Sequence, residues 1–73
     1  MKEYNFTVVI DKDEEGNFLA ICPSLQGCYS EGSTKEEALE MTEDAIKARI
    51  KSRIKNGDFI YEEIYSSLLK VAV

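Results

Sequence analysis

Few residues in this chain can do chemistry. It has 73 residues, no histidine and two cysteines. A histidine-dependent acid–base or triad mechanism lacks its central group, and no serine or cysteine has an evident base beside it. Cys22 and Cys28 stand in a C-x5-C spacing, which is neither a zinc nor a thioredoxin spacing, and no second pair completes four ligands. They read as small buried hydrophobes. Carboxylates are plentiful. Asp11-Lys12-Asp13-Glu14-Glu15-Gly16 begins like a calcium loop, but the twelfth position, which needs a bidentate glutamate, is Cys22. An ordinary solvated hairpin turn is the simpler reading. A metal nuclease needs carboxylates converging from different elements. Glu36, Glu37, Glu40, Glu43 and Asp44 all belong to one stretch, Asp11 and Asp13 to another, and residues 67–73 offer none. No enzymatic activity, no metal and no cofactor is expected.

The elements that carry these side chains follow from periodicity. Tyr4, Phe6, Val8 and Ile10 alternate with Asn5, Thr7 and Val9, which predicts a half-buried strand over 4–10. The polar run 11–17 closes with Gly16-Asn17 and predicts a hairpin turn. Phe18–Cys22 predicts a second strand, stopped by Pro23, which has no N–H for a ladder. After the tight connection Pro23-Ser24-Leu25-Gln26-Gly27, residues 28–31 predict a third, short strand ended by Gly32. Thr34 with Glu37 three residues on is a capping box. Helical spacing then runs from Lys35 to Asn56, with Gly57 in the position that closes a helix. The apolar stripe is Ala38, Leu39, Thr42, Ala45, Ile46, Ile50 and Ile54. Residues 58–65 form a connector with five large apolar or aromatic groups, Phe59, Ile60, Tyr61, Ile64 and Tyr65, expected to pack back on the core. Residues 67–73 predict a fourth strand. The fold class is α+β, one domain over 1–73, in the order β-β-β-α-β: a three-stranded antiparallel meander, one long helix on a face, and a C-terminal strand parallel to the first.

Charge narrows the partner. Fourteen acidic and nine basic side chains give a net charge of −5. Nucleic acid is repelled at long range and is not expected for this chain alone, whereas a basic protein is attracted. The helix is sorted, with acids in its first half and Lys47, Arg49, Lys51, Arg53 and Lys55 in its second. Dipole matching accounts for this without any phosphate. No apolar run approaches a membrane span, and the N-terminus enters the first strand with no apolar leader, so a reducing cytoplasm is the expected compartment. A core this small is marginal, and a small sheet with free edges and an uncovered face is expected to form a homodimer or higher homo-oligomer.

The ordered run from Gly16 to Ala38 resembles the HicB-like antitoxin family. Its parts are the aromatic strand Phe18-Leu19-Ala20-Ile21-Cys22, then Pro23-Ser24-Leu25-Gln26-Gly27-Cys28, then the helix start Gly32-Ser33-Thr34-Lys35-Glu36-Glu37-Ala38. The first strand with its acidic turn and the Asn56-Gly57 helix end fit the same pattern. The resemblance implies a partial RNase H-like fold without catalytic carboxylates. It implies binding to a small basic HicA-like toxin that cleaves mRNA, with the toxin's active site covered. The alternative is a stand-alone homo-oligomeric domain with no toxin or with another protein partner. Contact residues are expected in the acidic turn, at Asp11, Asp13, Glu14 and Glu15, and in the loop at Pro23, Ser24, Leu25 and Gln26. Many members add a C-terminal DNA-binding domain. This chain ends at Val73, so operator control is not expected of it. Ile60-Tyr61 stands where many relatives have proline, so the connector is expected to differ.

Overall fold

Two ladders organise the sheet. The computed structural model describes residues 3–72. β1 (Val9–Lys12) pairs antiparallel with β2 (Phe18–Ile21), Val9 opposite Ile21 and Lys12 opposite Phe18. β2 pairs antiparallel with β3 (Tyr29–Gly32), Ile21 opposite Tyr29 and Phe18 opposite Gly32. The order is β1-β2-β3. The first strand is shifted from the expected 4–10 to 9–12, and the register explains why. Continuing it backwards sets Thr7 opposite Pro23, which cannot join a ladder, so residues upstream of Val9 run on without a partner strand.

The first turn is built by Asp13. Its Oδ1 accepts the N–H groups of Glu15 (2.9 Å) and Asn17 (2.8 Å), and its own N–H donates to the Asn17 carbonyl at 2.9 Å. A short carboxylate holding the backbone two residues on is the reason aspartate favours such turns. α1 spans Lys35–Asn56, as the spacing predicts. Thr34 caps it, with Oγ1 accepting the Glu37 N–H at 3.1 Å. The other half of the expected capping box is altered, because the Glu37 carboxylate accepts the Ser33 hydroxyl at 3.3 Å. At the far end Gly57 sits at φ 74°, its N–H donating to the Ile54 carbonyl and that of Asp58 to Arg53. This pair of bonds satisfies the last helical carbonyls and requires a left-handed residue.

α1 lies over β2 and β3, and the core between them is made of small side chains. Ala20, Cys22, Leu25, Cys28, Ala38 and Thr42 are buried, with Phe6, Ala45 and Ile46 packed around the cysteines and Leu25. The Thr42 hydroxyl donates to the Ala20 carbonyl at 3.3 Å, which satisfies a fully buried polar group. Small residues let the helix approach the sheet closely. At Gly32 an added Cβ would stand 2.8 Å from the backbone nitrogen of Ala38. The remaining apolar stripe of α1 is covered in part, with Ile46 and Ile50 half-buried and Leu39 and Ile54 exposed. Leu39, Ile46, Ile50 and Ile54 line an open groove of about 1170 Å³ with Tyr4, Phe6 and Val8 on its other wall.

The expected fourth strand, parallel to the first, is not formed. Residues 67–72 carry no strand, Leu68 is 100% exposed, and Val73 lies outside the described residues. The connector explains this. A backbone rung does start, with the Glu63 N–H donating to the Asn5 carbonyl at 3.1 Å. The next groups along that edge are taken by side chains, since Glu62 Oε2 accepts the Asn5 N–H (3.0 Å) and Glu63 Oε2 accepts the Thr7 N–H (2.8 Å). Side-chain acceptors thus hold N–H groups that a ladder would need. The connector is tied to the body by these polar bonds, and its large side chains do not pack on the core as expected. Phe59, Tyr61, Ile64 and Tyr65 are 71%, 72%, 96% and 82% exposed. Phe59 meets its neighbour Tyr61 edge-to-face at 4.8 Å, and its carbonyl accepts from Arg53 Nη1 at 3.4 Å.

Candidate functional site

Helix packing on one face leaves the other face of the sheet open, and the ladder registers say what it carries. Side chains alternate along a strand, and Ala20 faces the helix, so Leu19 and Ile21 face away from it. Their cross-strand partners share that face. One row is therefore Val9, Ile21 and Tyr29, and the next is Asp11, Leu19 and Glu31. Val9 is 41% and Tyr29 64% exposed, and Asp11 and Glu31 are exposed beside them. Lys12, the basic residue of this hairpin, lies on the helix side, its Nζ 5.5 Å from the centre of the Phe18 ring.

The two sets of expected contact residues lie at opposite ends of this face. Asp11, Asp13, Glu14 and Glu15 sit at and around the β1–β2 turn, and all four are exposed. Pro23, Ser24, Leu25 and Gln26 follow the other end of β2. Six residues of extended chain separate Asn17 from Pro23, roughly 20 Å. Pro23, Ser24 and Gln26 are exposed, whereas Leu25 is 4% exposed and belongs to the core. Asp13 is occupied in holding the turn, as described above, which leaves Asp11, Glu14 and Glu15 as the outward carboxylates of that end. Sequence reasoning missed Glu31 and Tyr29. The β1–β2 and β2–β3 registers together place them on the same face as Asp11.

A polar corner joins the loop to the connector. Glu63 Oε2 accepts from both the Thr7 N–H and the Ser24 hydroxyl, each at 2.8 Å. These donors, Thr7 first and Ser24 after it, hold the Glu63 carboxyl below its ordinary range. Behind the loop, burial pushes the Cys22 thiol up, and the neighbouring Cys28 adds to the rise. Both cysteines are free and buried, and a neutral buried thiol is a poor nucleophile. Among the described residues, no three His, Cys, Asp or Glu side chains converge as metal ligands. Nor is any helix among them long and apolar enough to cross a membrane.

A three-stranded antiparallel sheet with one helix on a single face, an open apolar row and exposed acids defines a small α+β domain of the HicB N-terminal type. The crystal structure of the N-terminal domain of Burkholderia pseudomallei antitoxin HicB superposes with a TM-score of 0.73 at 23% identity, covering 84% of this chain and 72% of that one. The model of the HicB-like antitoxins of bacterial toxin-antitoxin systems matches residues 6–70, and the chain belongs to that family. Among curated relatives, the UPF0150 protein ssr1765 of Synechocystis is 45% identical over 70% of this chain. The UPF0150 protein Ta0767 of Thermoplasma acidophilum is 44% identical over 75% of this chain and 80% of its own length. The matched segment spans 65% of the Synechocystis relative.

Proposed function

We propose that this chain is a non-catalytic antitoxin that neutralises a small basic HicA-like, mRNA-cleaving toxin by covering its active site. The observation that carries this reading is the helix-free sheet face with exposed carboxylates at its margin, on a chain of net charge −5. An RNA-cleaving protein must attract phosphate, so its working surface is cationic, and an acidic face competes for it. The matched family is one of antitoxins, which supports a partner of this kind. Exposed Asp11, Glu14 and Glu15 at one end and Pro23, Ser24 and Gln26 at the other are the proposed contact margins. Asp13 contributes by shaping the turn. The compartment we assign is the cytoplasm, in keeping with two free thiols.

Co-expression with the product of the adjacent small open reading frame tests this. The expected result is a co-purifying complex whose association rate falls as salt rises. No complex at micromolar concentration would remove the antitoxin reading.

A second reading, a homo-oligomer serving no toxin, is favoured by one observation. The chain exposes 6202 Å², whereas a compact monomer of 8.3 kDa exposes about 4600 Å². Its radius of gyration is 13.9 Å, against about 11 Å for a compact chain of this length. The excess of roughly 1600 Å² exceeds the ~800 Å² each partner gives to a standard interface. The groove along α1 and the exposed Leu68, Leu69 and Val71 offer apolar surface to such an interface. Sedimentation equilibrium of the isolated chain measures the state, a dimer or larger species being expected whether or not a toxin is bound.

A further inference from the structure

We propose that the open face of the sheet is itself the docking surface for the cationic partner, and that the two margins assigned above are its ends. This rests on the antitoxin reading and deepens it. The face offers two rows in register. The Val9–Ile21–Tyr29 row is apolar across all three strands, and the next row places Leu19 between Asp11 and Glu31. No strand residue on this face is basic, and six of the nine cations of the chain are on α1, in the other layer. Two strand spacings separate the Asp11 and Glu31 positions, about 10 Å. A partner helix with basic residues at i and i+7 spans about 10.5 Å and would set an apolar residue between them over Leu19. The chemistry recognised is therefore a cation–apolar–cation pattern, with an apolar neighbour over Val9, Ile21 and Tyr29.

A second copy of this chain does not suit the face. Two such faces placed together would oppose carboxylates with carboxylates, with no cation of the face to separate them, and like-charge juxtaposition rejects a partner. Self-association belongs to the groove along α1 and the apolar tail, in a different part of the molecule. The hot spot of the docking face is Tyr29. It is an exposed aromatic at the β3 end of the apolar row, next to Ile21 at its centre, and tyrosine is among the residue types that most often dominate an interface when desolvated.

The test uses the full chain and a catalytically inactive form of the toxin encoded beside it, by titration calorimetry and by amide exchange. Tyr29→Ala is expected to weaken binding about thirtyfold, the equivalent of a single hot-spot residue. Asp11→Asn with Glu31→Gln is expected to lower the association rate and flatten its salt dependence. Amides of β2 and β3 should gain protection in the complex. All three residues are exposed, and a circular dichroism melt of each variant verifies folding. If the wild-type chain binds and these variants bind equally well, the face is not the docking surface and the antitoxin reading stands. If the wild-type chain binds no toxin, that reading fails with it. If the variants change the oligomeric state and leave toxin binding intact, the face serves a second copy and the proposal is overturned.

Discussion

Gly32→Ala should destabilise the domain substantially although alanine is the smallest possible addition. Gly32 closes β3 against the first turn of α1, and its φ is not in the left-handed region. The objection to a side chain is therefore purely spatial. The new Cβ would meet the Ala38 nitrogen at 2.8 Å and the Glu37 Cβ at 3.1 Å. Backbone cannot swing aside as a lysine tip can, so the start of the helix must shift by several tenths of an ångström. Ala38 and Thr42, both fully buried, would shift with it. Overpacking of this kind costs about 1–3 kcal/mol. A 73-residue domain has roughly 4–11 kcal/mol in all at ordinary stability per residue. Each kcal/mol lowers Tm by about 4–8 °C in a domain this small, so a fall of at least ~4 °C is expected by circular dichroism. Gly16 is the control, with a φ of 89° and nothing within 4 Å of its Cβ. There the cost is torsional, and Gly16→Asn should be tolerated better than Gly16→Ala, because asparagine accepts φ above zero more readily. At Gly32 asparagine should be worse than alanine. An unchanged or raised Tm for Gly32→Ala would refute the close-packing argument.

Two further outcomes follow from the polar corner and the buried thiols. The lowered pKa of Glu63 means that its carboxylate stabilises the connector fully above the ordinary value of 4.5. That contribution is lost as pH falls below 4.5 and through the depressed folded value. Protection of the Thr7 amide, followed by NMR from pH 7 downward, should drop over that window and be absent at every pH in Glu63→Ala; retained protection in the variant would contradict the clamp. The raised pKa of Cys22 has the opposite sign. Its stabilisation is complete below the ordinary thiol value of 9.0 and is lost as pH climbs through the raised folded value. Both thiols are buried, so iodoacetamide at pH 8 should leave them unmodified until denaturant is added, and rapid labelling of the native chain would show that they are not buried.

Much of the scaffold was legible because it is written in local rules. The helix from Lys35 to Asn56 follows from a capping threonine, a helical apolar period and a C-terminal glycine, each of which acts within a few residues. The meander follows from alternation, a Gly-Asn turn and Pro23. The exclusion of histidine chemistry needs only composition. Less of the candidate site could be read. Asp13 and Leu25 both read as contact residues, although an aspartate in a turn and a leucine in a loop each have a structural use as well. The folded chain assigns them to that use: Asp13 holds the turn and Leu25 enters the core.

What tertiary structure decided is everything that depends on register and competition between distant groups. The two ladder registers together put Tyr29 and Glu31 in the same rows as Val9 and Asp11, with Ile21 and Leu19 between them, although the outer residues are some twenty positions apart in sequence. The span of β2 set the turn acids and the 23–27 loop at opposite ends of the sheet. Residues 67–72 have the composition of a strand, yet a strand exists only where an edge has free N–H and C=O groups to receive it. The side chains of Glu62 and Glu63 take N–H groups of Asn5 and Thr7 instead. Propensity is a property of a segment, whereas pairing is a property of two, and the second partner becomes known only when the chain has folded.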